Sequence, residues 1–229
     1  MDHEKGFKNL NEKECAEVLP PIVDNAERHF AVAHQISTIY AYPNAVAHLI
    51  FGAEELVKAT MLLLKSKSIP IKNITGHDIH SFTDGFSQGV LKEFFSVWLG
   101  IREILNLRRA KHDYTLKEMF NALVIGFTGI VNGKDQYHWW ENADRLKQKC
   151  LFVDFKNGLV LPDIQVNKSD YNQAYHYVYA FRYEFYLLHH KMINSSEAEL
   201  REFREQLEDG EFVELLGDTL RRKRISLLS

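Results

Sequence analysis

The chain is short of cysteine, of net charge and of long apolar runs, and each shortage closes a class of function. Two cysteines occur in 229 residues, Cys15 and Cys150, far apart and without a CxxC or Cys/His ligand spacing. Neither a disulfide framework nor a structural zinc site is expected, and a reducing cytoplasm fits such usage. Lys and Arg number 28 against 31 Asp and Glu, a net charge of −3 with His neutral. No global positive field advertises nucleic acid or a membrane surface, so any basic surface must be local. The longest mainly apolar run covers residues 120–131, short of the ~20 residues a spanning helix needs. Residues 1–15 hold no apolar signal-peptide core, so neither export nor membrane insertion is expected. A Glu-x-x-His step occurs nowhere, which excludes the di-iron carboxylate bundle that glutamate-bearing helices would otherwise suggest. The expected cofactor and metal content is therefore none.

What the chain does have is 45% hydrophobic residues, enough for a sizeable core. The periodicity predicts an all-α antiparallel bundle. Pro21 and Asp24 are helix-start signals, and Ile22, Ala26, Phe30, Ala33 and Tyr40 recur at helical spacing, giving a first helix to about Tyr40. A second, rich in Ala and Leu, begins near Pro43 and runs to a turn in residues 66–73. So short a link makes the two an antiparallel hairpin. Further helices are expected over 90–112, 115–131, 137–149 and 169–192. Leu151, Val153 and Phe155 alternate before Asn157-Gly158, a positive-φ pair, and an apolar return over 159–161, which predicts one small β-hairpin insertion. A charged helix pair capped by Ser195 or Ser196 and broken near Gly210 ends the chain. The organisation expected is an N-terminal arm over 1–19, one helical domain over 20–195 and a C-terminal helical extension over 196–229.

Several polar groups invite chemistry. Glu54, Glu55 and Lys58 interrupt an apolar helix. Glu54 and Lys58, four apart, suit an intrahelical pair on a solvated face. Alternatively one glutamate turns inward and holds an arginine or histidine of another helix, since a buried carboxylate needs such a partner. His77 and His80 are either loop histidines with ordinary hydrogen bonds or two metal ligands without an evident third. Arg108, Arg109, Lys111 and His112 end a predicted helix; they complement its dipole or contact phosphates of an RNA. Arg221–Arg224 allows the same two readings.

The segment 174–191 carries Arg182 and His189 among tyrosines. Seven residues are nearly two helical turns, so the two share an azimuth within ~20° and lie ~10 Å apart along the axis. Tyr175, Tyr179, Phe185 and Tyr186 lie near that face. A histidine of ordinary pKa can move the proton of a ribose 2′-OH, an arginine fork can neutralise the attacked phosphate, and tyrosines can stack bases. The same aromatics at helical spacing would equally serve a core. Arg28 and His34 repeat the pattern, which shows how little two residues specify.

Taken in order, residues 25–64, the segment from Gly76 and residues 145–164 resemble the AbiV-type abortive-infection family, a branch of the HEPN superfamily. Glu54-Glu55 with Lys58, and Asp154 with Pro162, carry the resemblance, which covers roughly residues 20–195. It implies a HEPN-like bundle, a homodimer of the superfamily's kind, and a setting in phage defence, with a phage-encoded or cellular protein as trigger. In the superfamily an Arg-x4-6-His motif on a late helix marks metal-independent endoribonucleases. Arg182 and His189 match it, with His189 as general base or acid, Arg182 as phosphate stabiliser, and Glu54 or Glu55 orienting one of them. Helical side chains lean toward the N-terminus, so Arg182 leans away from His189. A symmetric dimer would supply the missing group. A non-catalytic protein that senses or sequesters a partner is the rival reading.

Overall fold

The computed structural model describes residues 6–69, 134–155 and 158–208. Within them, helices α1 (Glu12–Thr38), α2 (Tyr42–Ser66), α3 (Lys134–Glu141), α4 (Ala143–Leu151), α5 (Pro162–Gln165), α6 (Lys168–Asn194) and α7 (Glu197–Glu208) are joined by one hairpin, β1 (Asp154–Phe155) with β2 (Leu159–Val160). The described part is thus all-α apart from that hairpin, and no described helix is long and apolar enough to cross a membrane. The helices expected over 90–112 and 115–131, and the chain beyond Glu208, lie outside the described residues.

Helix α1 starts at Glu12, well before Pro21. A reciprocal capping box sets the start: Asn11 accepts from the Glu14 N–H, and Glu14 accepts from the Asn11 N–H. Pro20 and Pro21 lie inside the helix, although proline removes a backbone donor there and favours the first turn instead. Cys15 and Leu19, on the turns before the prolines, are buried in the core, and that packing holds the early turns helical. The chain then reverses through residues 39–41, with Tyr40 in the left-handed region at φ 64.

Helix α2 returns antiparallel to α1. Ser68, just past its end, donates to Glu12 at the start of α1, and His48 near its beginning meets His29. Residues Ala45, Val46, Ala47, Leu49, Ile50, Ala53, Leu56, Val57, Ala59, Met61, Leu62 and Leu63 are all buried, so α2 is the axis of the bundle. α1, α4 and α6 pack around it. Helix α6 runs parallel to α2: Tyr171 in its first turns meets Tyr42 at 5.7 Å between ring centroids. Its own start is fixed by a second capping box between Asn167 and Asp170. Helices α3 and α4 break at Asn142 where one helix is expected. The hairpin pairs Asp154 with Val160 and Phe155 with Leu159; Leu151, expected in its first strand, instead closes α4. Ser196 rather than Ser195 caps α7, exchanging hydrogen bonds with Glu199.

Close approach of α1 to α2 depends on Gly52. A Cβ there would stand 2.3 Å from the Phe30 ring, and Phe30 is itself buried. Gly52→Ala is expected to destabilise the fold by about 1–3 kcal/mol, the usual cost of overpacking a filled core. Urea unfolding of both proteins measures it; unchanged stability would contradict this packing.

Candidate functional site

Glu54 and Glu55 of α2 take different partners, one interhelical and one local. Glu54 is buried and receives a hydrogen bond at 2.5 Å from Lys147 of α4, which also lies 3.2 Å from Asp144. Burial opposes the Lys147 charge, but the hydrogen bonds and charges of Glu54 and Asp144 outweigh it and hold the ammonium above its ordinary value. Phe51 lies under the same ammonium, 5.4 Å from ring centroid to Nζ. Glu55, not Glu54, pairs with Lys58, at 2.7 Å. The expected Glu54–Lys58 pair is thereby corrected: the i,i+3 partner is reachable on the half-exposed face, whereas Glu54 points inward. Among the described contacts, neither glutamate meets Arg182 or His189. The inward carboxylate does find a cation of another helix, but a lysine, not the arginine or histidine expected.

Arg182 is held by a residue that sequence reading passed over. Its Nε and Nη2 donate to Glu27 of α1 at 2.8 and 2.5 Å, a bidentate fork on one carboxylate. The Tyr186 hydroxyl donates to the same carboxylate at 2.9 Å. The guanidinium also lies 5.1 to 5.9 Å from the ring centroids of Tyr179, Phe30 and Tyr186, within cation–π range. The hydrogen bonds that Arg182 donates to Glu27 raise its pKa still further, and burial, with the Glu27 bond and charge, pushes the Tyr186 hydroxyl up to about 12. Tyr175 stacks on Tyr179 at 4.0 Å and extends the aromatic cluster along α6.

His189 lies in different company. Its ring stacks on buried Phe185, centroids 5.7 Å apart. Partial burial, with repulsion from His190 and Lys67, lowers its pKa below the ordinary imidazole value of 6.5, so it is neutral at physiological pH. The shared azimuth does not make a shared site: Arg182 is turned to α1, His189 rests on Phe185, and the described contacts give the two no common partner. Phe185 faces the core rather than the stripe of Tyr179, Arg182 and Tyr186. Arg28 is exposed and donates to Asn25, and His34 is exposed as well. His77, His80, Arg108, Arg109 and His112 lie outside the described residues. Among those described, no group of three or more His, Cys, Asp or Glu gathers as a metal site.

One further pair escaped the sequence. His29 of α1 and His48 of α2 face each other with their Nδ1 atoms 3.0 Å apart, beside Phe51. One Nδ1 must carry the proton and the other accept it, so the bond needs at least one neutral ring. Burial lowers both pKa values, and for His29 the charge of His48 adds to the effect. The spacing from position 29 to 48 brackets the interhelical turn, which was the available signal.

Two measurements test this electrostatic layout. Removing one partner of the buried pair, as in Lys147→Ala, is expected to cost about 3–5 kcal/mol, because Glu54, whose pKa burial already pushes up, is left without its cation and must either hold an unpaired charge or take up a proton; a change under about 1 kcal/mol would contradict it. The imidazoles of His29, His48 and His189 all bind protons more weakly folded than unfolded. The unfolded chain therefore takes up more protons in acid, and stability is lost as pH falls through and below 6.5. Unfolding series at several pH values should show that slope, and it should flatten in His48→Asn; a slope unaltered by the substitution would remove the His29–His48 pair from the account.

Compared with known proteins, the chain matches the HEPN-type family model described as AbiV over residues 14–181. No curated protein and no solved structure matches it.

Proposed function

Starting from the AbiV family of HEPN proteins, to which the chain belongs, we propose that it acts in abortive infection as a metal-independent endoribonuclease centred on Arg182 and His189 of α6. The observation that carries this reading is the Arg182 fork. It grips an oxyanion with two parallel hydrogen bonds, half-exposed and flanked by Tyr179 and Tyr186, and a phosphodiester offers the same two-oxygen edge. His189, neutral at physiological pH, supplies a base.

The chemistry needs no other group. His189 takes the proton of a ribose 2′-OH, whose oxygen attacks the adjacent phosphorus while the bond to the 5′-oxygen breaks. An imidazolium returns a proton to that leaving oxygen, and a cyclic phosphate remains. Arg182 neutralises the charge that grows on the phosphate oxygens. With Arg182 turned to α1 and His189 resting on Phe185, the two act on one phosphate when a second protomer contributes one of them, as a twofold dimer does. That makes a homodimer part of the proposal.

A second reading is favoured by the segment around the hairpin. Phe152, Val153, Phe155, Leu159 and Ile164 are each at least 60% exposed, the kind of apolar patch that marks an interaction surface. On that reading the chain blocks infection by binding a phage-encoded or cellular protein, and cuts nothing.

Expression of the wild type and of Arg182→Ala/His189→Ala separates the two. The ribonuclease reading expects growth arrest and RNA fragmentation from the wild type, with activity on purified RNA falling by about a hundredfold or more in the double variant, the usual weight of a proton-transfer group. Growth arrest with intact RNA in both proteins would favour binding and overturn the site.

A further inference from the structure

Lys147–Glu54 and Arg182–Glu27 each tie two helices of this bundle together, and they differ in one decisive respect. The Lys147–Glu54 pair is buried, its side chains 11% and 9% exposed. Neither partner can leave without stranding a charge in a dry interior, so that pair is permanent. The Arg182–Glu27 pair is open on one side, with both side chains 31% exposed. Water reaches it, and Glu27 can swing outward into solvent without that penalty.

Glu27 also occupies the place a substrate oxyanion needs. Its two oxygens take the Nε and Nη2 donors of Arg182, and one of them takes the Tyr186 hydroxyl as well. Three donors thus converge on a carboxylate in the arrangement that would hold two phosphate oxygens. Phe30, Tyr179 and Tyr186 line the guanidinium and limit its freedom to turn to another anion while Glu27 stays. Carboxylate and phosphate compete for one fork.

We infer that Glu27 is a built-in occupant of the phosphate site, a latch from α1 that keeps Arg182 closed to RNA until it is displaced. This rests on the reading of Arg182 as the phosphate-contacting group and adds its regulation. In the closed state the fork of Arg182 is filled by a side chain of the same protein. Opening requires only that α1 release the carboxylate, which a substrate phosphate or a trigger pressing on α1 would bring about. The Tyr186 hydroxyl, set free with it, becomes a third donor to the incoming phosphate.

Glu27→Gln tests the latch, because it keeps the shape and removes the charge that competes. The probe is a 2′-O-methyl RNA of about 12 nucleotides, within the span such sites cover, which binds but cannot be cleaved. The variant should bind it about tenfold more tightly than the wild type, with a steeper salt dependence because one more phosphate contact forms. Adding Arg182→Ala to Glu27→Gln should erase the gain, and a thermal melt confirms that each variant is folded. A loss of the packing between α1 and α6 alone would weaken binding, not strengthen it. Affinity unchanged or lowered in Glu27→Gln overturns the latch and makes Glu27 a positioning carboxylate. The reading of the site fails separately: wild type and Glu27→Gln both leaving unmodified RNA intact would sink the ribonuclease, whatever the binding shows.

Discussion

Helix α2 is enclosed by α1, α4 and α6, and the requirement that its polar side chains be matched inside that enclosure organises the rest of the described structure. An apolar helix can be surrounded at no electrostatic cost, but Glu54 cannot, and its burial demands Lys147 from α4. That demand fixes where α4 stands. Glu55 and Lys58 satisfy each other where the enclosure opens, and His48 is answered by His29 from α1. Gly52 lets the α1 side close down onto the axis, since Phe30 fills the space a side chain would take.

With α1 and α6 both fixed against α2, Glu27 and Arg182 are brought face to face as a consequence. The resulting contact is partly open to water, unlike the contacts of the axis itself. Stability therefore resides in α2 and its buried partners, while the α1–α6 seam is held by an ion pair that water reaches.

Much of the architecture was legible because it rests on local pattern. The α1–α2 hairpin, the long late helix and the small strand pair follow from periodicity, a short link and an Asn-Gly pair in the sequence. The resemblance carried by Glu54-Glu55, Lys58, Asp154 and Pro162 pointed to the family that the match over residues 14–181 establishes. What escaped was long-range. The start of α1 was hidden because Pro20 and Pro21 mimic a first turn, whereas Cys15 and Leu19 pack residues that a sequence alone leaves as an arm. Glu54 meets Lys147 across 93 positions and Glu27 meets Arg182 across 155; no spacing rule reaches so far. The azimuth argument for Arg182 and His189 follows from helix periodicity alone, whereas the way each side chain turns is decided by Glu27 of α1 and by Phe185.

The central claim is that Arg182 is the group that meets RNA phosphate, and the guanidinium itself can report on it. Nitrogen-15 NMR of the Arg182 Nε–H resolves whether its partner is the Glu27 carboxylate or a bound phosphodiester. Titration with the 2′-O-methyl oligonucleotide should shift that resonance in step with binding, as one oxyanion replaces another. An Arg182 signal that stays unmoved while the oligonucleotide saturates the protein would contradict the account.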